Sequence, residues 1–297
     1  MQVSDSQILD GVRAGDRKSF AKLLSICEDD SVRANHLISN LEKRTAHVIG
    51  ITGSPGVGKS SIINAILDKS ADKKIGVIAI DPSSPFTGGS LLGDRIRMQS
   101  HATSKNFFIR SFASHGALGG LSPSIFETCD AFETFKVDAV FIETVGVGQS
   151  DVEIANVADT VVVLISPDGG DEVQMMKAGL MEIADFFVIN KADNPISKGL
   201  LSKLRNILEM GKKDIPIFLT NSITGEGIEN LTKALDKRFS SILESGLLAR
   251  KRQKRVTSHA QSILRKKIDD ILQTVKTDQL DLEEIQKEVM KKICSNL

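Results

Sequence analysis

Residues Gly53-Ser54-Pro55-Gly56-Val57-Gly58-Lys59-Ser60 satisfy the phosphate-loop pattern G-x-x-x-x-G-K-[ST] at every position. Upstream, Val48-Ile49-Gly50-Ile51 reads as a buried strand; downstream, Ile62, Ile63, Ile66 and Leu67 recur at helical spacing. Strand, glycine-rich loop and helix in that order make up the unit that holds a nucleoside triphosphate. The glycines at 53, 56 and 58 permit close backbone approach, so that successive N–H groups converge on phosphate oxygens, and the helix that follows adds its positive end. Lys59 is expected on the β- and γ-phosphates and the Ser60 hydroxyl on magnesium, with residues 53–61, Ser61 included, forming the phosphate cradle.

Outward from this loop, the stretch from 46 to about 220 alternates apolar β-type runs with helical stretches. The expected strands are 75–80, 107–109, 137–142, 160–165, 186–189 and 215–219. Strands interleaved with helices predict an α/β P-loop NTPase with a doubly wound, mainly parallel sheet, and near-continuous Val, Ile and Phe fit strands covered on both faces. Ser122-Pro123 reads as the cap and first position of a helix running to about Phe135. Residues 1–45 carry apolar residues at helical spacing (Ile8, Leu9, Val12, Phe20, Leu23, Leu24) and form an N-terminal helical extension. Residues 46–245 form the nucleotide domain, and 246–297 a C-terminal helical region broken near Thr277-Asp278. One stripe of that region is too apolar to stand free, so it is expected on the core or on a second subunit.

The chain has 297 residues, 41% of them apolar, and 38 basic residues balance 38 acidic ones. No global field therefore points to nucleic acid or an anionic membrane. Three widely spaced cysteines fit neither a disulfide framework nor a C-x-x-C metal site. No run of apolar residues is long enough for a membrane span and no leader pattern opens the chain, so a cytoplasmic protein is expected.

Val140-Phe141-Ile142-Glu143 ends a strand on a carboxylate, and Thr144-Val145-Gly146 follows. Glu143 is the expected magnesium-side acid in place of the more familiar Asp of a D-x-x-G segment, and Gly146 lets a backbone N–H face the γ-phosphate. Asn190-Lys191-Ala192-Asp193 follows the strand 186–189 and fits N-K-x-D. A carboxylate there accepts both N1–H and N2–H₂ of guanine; ATP would leave it unpaired, at about 1.5–3 kcal/mol. The loop around Ser222 and Ile223 is expected to offer a backbone N–H to the guanine O6. Asp81 to Asp94, rich in Gly, Ser and Pro, reads as a switch loop, with Asp81 and Asp94 as further magnesium-side acids. Where Ras-like enzymes carry a water-orienting Gln, Val147 stands, and Gln149 comes two residues later, so intrinsic hydrolysis is expected to be slow.

With Asp81-Pro-Ser-Ser-Pro, Thr87-Gly-Gly-Ser, Leu92-Gly-Asp94, Glu143-Thr-Val-Gly-Val-Gly-Gln-Ser150 and Asn190-Lys-Ala-Asp193 in order, the chain resembles the MeaB/ArgK family of GTPases associated with methylmalonyl-CoA mutase. The resemblance runs from about Ala14 to beyond Gly246. It implies a homodimeric, magnesium-dependent GTPase that hydrolyses GTP to GDP and acts as a chaperone for an adenosylcobalamin-dependent acyl-CoA mutase, gating cofactor loading and protecting the mutase. It also implies a third switch at Asp168-Gly-Gly-Asp171-Glu-Val-Gln174-Met-Met-Lys177. There Asp171, Gln174 and Lys177 would move toward the nucleotide, and Lys177 would stabilise γ-phosphate charge. Ser61 replaces a common threonine, and Ile223 replaces a small alanine and is expected to crowd the base.

Two other readings share the phosphate loop. A nickel-inserting GTPase calls for clustered His or Cys ligands, whereas the five histidines are scattered. A transport-associated ATPase calls for adenine preference and a membrane partner, and Asp193 argues against adenine. The basic run Arg250-Lys-Arg-Gln-Lys-Arg255 reads as a solvated helix face or as a surface for an acidic partner or phosphates; no nucleic-acid partner is expected.

Overall fold

In the computed structural model of the chain, the residues described are 3–81, 101, 104–113, 121–122, 124–146, 149–168, 179–275 and 281–295. Three helices open the chain: α1 (Asp5–Arg13), α2 (Arg17–Asp29) and α3 (Ser31–Ser39). The side chains of Ser4, Asp16 and Asp30 accept backbone N–H groups at their N-termini. The strands are β1 (His47–Thr52), β2 (Ile75–Asp81), β3 (Phe107–Ala113), β4 (Ala139–Glu143), β5 (Thr160–Ile165), β6 (Phe186–Ile189) and β7 (Ile217–Leu219). They form one sheet in the order β3-β2-β4-β1-β5-β6-β7, with every pairing parallel. The remaining helices are α4 (Lys59–Asp68), α5 (Ser124–Thr134), α6 (Gln149–Glu153), α7 (Leu180–Ile183), α8 (Ile196–Met210), α9 (Ile228–Glu244), α10 (Leu247–Thr274) and α11 (Leu282–Ser295).

Alternate residues of the strands feed two cores. Val48, Ile78, Val140, Val163 and Phe187 face a core shared with α1, α2, α3, α5 and α8, whereas Ile49, Val77, Phe141, Val162 and Val188 face α4 and α9. This double covering is why the strands read as continuous apolar runs. With no Tyr or Trp in the chain, phenylalanines tie α2 to the sheet: Phe20 stacks on Phe135 at 4.0 Å and meets Phe132 and Phe108 edge-on.

β3 extends four residues beyond the apolar run 107–109 that marks it in the sequence. The polar residue that interrupts that run, Arg110, pairs with Glu28 of α2 at 3.0 Å and stays partly buried, so the edge strand continues past it. β7 begins two residues later than the sequence suggests, after Pro216, which has no N–H for the ladder but accepts from Phe187 N–H at 3.0 Å.

The basic run overturns the solvated-face expectation. Arg250 and Lys254 face solvent, but Arg252 donates to Glu133 (2.7 Å), Asp159 (2.8 Å) and the Ala46 carbonyl (2.8 Å). Arg255, 5% exposed, pairs with Asp130 at 2.6 Å, and Lys251 reaches the Asp159 carbonyl and Asp185. Charges at 251, 252 and 255 fall on the inner face of α10, so the run clamps that helix to α5 and to the start of β5. Farther along, Ile271, Val275 and Val289 close a small cluster between α10 and α11.

Candidate nucleotide site

In an open parallel sheet, ligands collect beyond the carboxyl ends of the strands where the winding reverses. Here β1 lies between β4 and β5, and beyond its end opens a cleft of 790 Å³ lined by the phosphate loop, Glu143, Asn190, Asp193 and Asn221. At its phosphate end, Gly58 caps α4 in a left-handed conformation (φ +96°) without a side-chain cap, leaving the backbone N–H groups of the first turn for an anion. A β-carbon at Gly58 would lie 2.4 Å from Asn190 Nδ2, so this glycine also lets the loop approach the base-side strand.

Lys59 is 6% exposed and donates from Nζ to the Gly53 carbonyl at 2.7 Å and the Ser54 carbonyl at 3.2 Å, with Val145 O at 3.4 Å. The Ser60 hydroxyl donates to Glu143 Oε1 at 2.6 Å. Parallel pairing of Ile51 with Glu143 is what brings that carboxylate level with the start of the phosphate loop. Gly146 (φ +90°) is packed so tightly that a β-carbon would stand 2.4 Å from Gly53 O and 2.6 Å from Lys59 Nζ. Alanine at 146 therefore displaces the loop from the lysine. Ser61, in the first turn of α4, is exposed and lines the cleft beside Ser60.

At the other end, Asn190 is 1% exposed and donates from Nδ2 to Val57 O at 3.0 Å, while its Oδ1 lies 3.3 Å from Ser222 N and 3.4 Å from the Thr220 hydroxyl. It thus fastens the phosphate loop to the loop after β7. Lys191 adopts φ +59° and pairs with Asp168 at 2.7 Å; Asp168 also accepts from Asn194 Nδ2 at 3.1 Å. Asp193 is exposed to the cleft, and its Oδ1 accepts from Asn221 Nδ2 at 2.8 Å. Ile223, expected to crowd the base, sits at the cleft rim 94% exposed, and its N–H donates to Asn221 Oδ1 at 2.9 Å.

Asn221 escaped the sequence reading. Its Oδ1 accepts the N–H groups of Ile223 and Thr224, which turns its Nδ2 toward Asp193 and orients that carboxylate. The only signal was its position between the last strand and a Gly-rich turn. Of the other expected residues, Asp81 closes β2 at the same end of the sheet. Its side chain and that of Gln149 lie outside the described residues, as do Asp94, Val147, Asp171, Gln174 and Lys177.

Residues 20–279 match the family model described as methylmalonyl Co-A mutase-associated GTPase MeaB. The chain belongs to the MeaB family. A Pyrococcus horikoshii protein named as a GTPase is 41% identical over 269 residues, covering 87% of this chain and 85% of that one. The Caenorhabditis elegans methylmalonic aciduria type A homolog, a mitochondrial protein, is 38% identical over 216 residues, or 69% of this chain and 54% of that one. Among solved structures, the LAO/AO transport system kinase superposes with TM-score 0.67 at 23% identity, over 99% of this chain and 100% of that one. HypB from Helicobacter pylori, solved with nickel, superposes with TM-score 0.51 at 20% identity over 73% of this chain and 96% of that one. Both likenesses are of fold. This MeaB-family chain is a P-loop GTPase, and among its described residues no helix is long and apolar enough to cross a membrane. Nor do three or more His, Cys, Asp or Glu side chains gather as a metal cluster among those residues.

Proposed function

We propose that this GTPase gates cofactor loading and protection of an adenosylcobalamin-dependent acyl-CoA mutase of the methylmalonyl-CoA mutase type, cycling between GTP and GDP as a homodimer. The observation that carries the reading is the convergence, in one cleft, of the phosphate loop, Glu143 and the Asn190–Asp193 turn within a chain of the MeaB family. In this reading residues 53–61 cradle the phosphates. Lys59 leaves the carbonyls of Gly53 and Ser54 to pair with the β- and γ-phosphates, and Gly146 turns its N–H toward the γ-phosphate. Asp193, held by Asn221, accepts the two guanine donors, and the loop at Ser222 and Ile223 closes over the base.

The donor set suits magnesium: a serine hydroxyl and a carboxylate oxygen 2.6 Å apart are hard ligands at the mouth of an anion-binding loop. Ser60 and Glu143 would hold the ion, with Asp81 and Asp94 as outer acids. When bound it would neutralise charge on the β- and γ-phosphates and on the leaving oxygen. Lys177 and Gln174, by family resemblance, complete the site when the mutase docks, so turnover by the GTPase alone is slow. The apolar stripe Leu264, Ile268 and Leu272 on α10, with Met290 on α11, supports the homodimer: each is at least 38% exposed and three are spaced by one helical turn.

Cofactor loading tests the reading. Transfer of adenosylcobalamin to apo-mutase should depend on this protein and on GTP, and a non-hydrolysable GTP analogue should stall it. Transfer that is indifferent to both protein and nucleotide removes the chaperone role and leaves the GTPase.

A further inference from the structure

Asp151, on the short helix α6, is 4% exposed and lies behind the nucleotide cleft. Its Oδ1 accepts the Thr144 hydroxyl at 2.6 Å and the Thr52 hydroxyl at 2.9 Å, and the two hydroxyl oxygens are 3.1 Å apart. Thr52 ends β1 immediately before the phosphate loop, and Thr144 begins the segment that carries Gly146; both are buried. One carboxylate oxygen therefore joins the two strand ends from which the phosphate loop and the γ-phosphate-facing segment depart.

We infer that Asp151 is a positioning residue for GTP hydrolysis, setting the height of Thr144-Val145-Gly146 above the phosphate loop and so coupling the γ-phosphate contact to Lys59. Each residue of that segment is registered against the loop. Glu143 accepts from Ser60, the Thr144 N–H donates to Ile51 O at 3.1 Å, Val145 O faces Lys59 Nζ, and Gly146 has no room for a β-carbon. The segment cannot slide without breaking the Thr144 to Asp151 hydrogen bond. A buried acceptor that holds two hydroxyls is costly to lose, since Thr52 would be left only the Thr144 hydroxyl and Thr144 only that hydroxyl and a long 3.5 Å contact to Ile51 O. Asp151 is not among the residues that line the cleft; it acts through Thr144 and Thr52. The inference rests on the reading that Gly146 faces the γ-phosphate.

The test compares GTP with GDP, because only GTP carries the phosphate that the segment would meet. Asp151→Asn keeps an acceptor oxygen for the hydroxyls, whereas Asp151→Ala removes it. Expected for Asp151→Ala is a loss of kcat of about tenfold or more, with GTP binding weakened relative to GDP and GDP affinity unchanged within about twofold. Asp151→Asn should recover most of both losses. Equal weakening of GTP and GDP, or an Asn variant no better than Ala, would overturn the positioning role. So would wild-type kcat in a folded Ala variant. If Ala does not fold, Thr144→Val, which removes one donor and keeps the shape, should shift the GTP-to-GDP affinity ratio in the same direction; an unchanged ratio overturns the inference. A wild-type protein that binds GTP and GDP with equal strength refutes instead the underlying γ-phosphate reading.

Discussion

Lys59 is folded back on the carbonyl oxygens of Gly53 and Ser54, the groups it must leave to reach a phosphate. Those charge-assisted hydrogen bonds hold its ammonium against the loop, ready to change partners. Lys59→Ala should abolish detectable GTP binding while the thermal midpoint stays within a few degrees, as read by calorimetry and a melt. Undiminished binding would remove the phosphate loop from the site. At the other end of the cleft, Asp193→Asn should relax guanine preference, because an amide cannot accept both guanine donors. Asn221→Ala should lower GTP-over-ITP discrimination by about tenfold, the worth of one charge-assisted hydrogen bond. Competition binding with GTP, ITP and XTP reads both; unaltered ratios would mean that the base is read elsewhere. Asp193 was legible in the sequence because a four-residue pattern carries its own chemistry. Asn221 and Asp151 were not, since each acts through other side chains whose approach is set by the fold: Asn221 through Asp193 across the β6–β7 pair, Asp151 through nearby Thr144 and through Thr52 on β1.

At the scale of elements, the strands could be read because burial on both faces writes itself as unbroken apolar runs. The inward turn of the basic run could not. A helix shows which residues share a face but not what that face meets, and the acids that meet Arg252 and Arg255 come from α5 and the start of β5. Arg252→Met should destabilise the fold by about 3 kcal/mol or more, since it strands the buried carboxylates of Glu133 and Asp159. Lys254→Met, on the solvent face, should stay within about 0.5 kcal/mol in urea denaturation. At the start of β1, burial lowers the His47 pKa from its ordinary 6.5 to about 3, with the nearby charges of Arg252, Arg238, Lys251 and Lys73 adding to the effect. The unfolded chain therefore binds the extra proton between those values, and stability falls as pH falls through that window. The slope from this group approaches about 1.4 kcal/mol per pH unit. Asp159 has the opposite sign, because burial raises its carboxyl against the pull of Arg252. His47→Gln, compared with the parent from pH 7 to 5, cancels that term and should show a shallower loss of stability; an identical slope would mean that His47 takes up its proton while folded.

For the whole molecule, one parallel sheet carries all parts of the described cleft on rigid strand ends, while the stretches 82–100 and 169–178, which hold Asp94, Gln174 and Lys177, fall outside the described residues. The residues proposed to hold the phosphates and the base thus have described neighbours, whereas the expected activation rests on family membership. The exposed stripe on α10 gives the proposed homodimer its own test. Leu264→Glu with Ile268→Glu should convert a dimer to a monomer in light scattering without changing GTP affinity, and an unaltered mass would remove that face from the interface. The coupling of nucleotide turnover to a mutase remains the central claim. It is tested most directly by steady-state GTP hydrolysis of the purified protein alone and with a cobalamin-dependent acyl-CoA mutase from the same organism. Slow turnover alone and acceleration of about a hundredfold with the mutase, on the scale of a completed charge-stabilising site, is the result predicted. Fast turnover alone, or a rate that the mutase leaves unchanged, would contradict it.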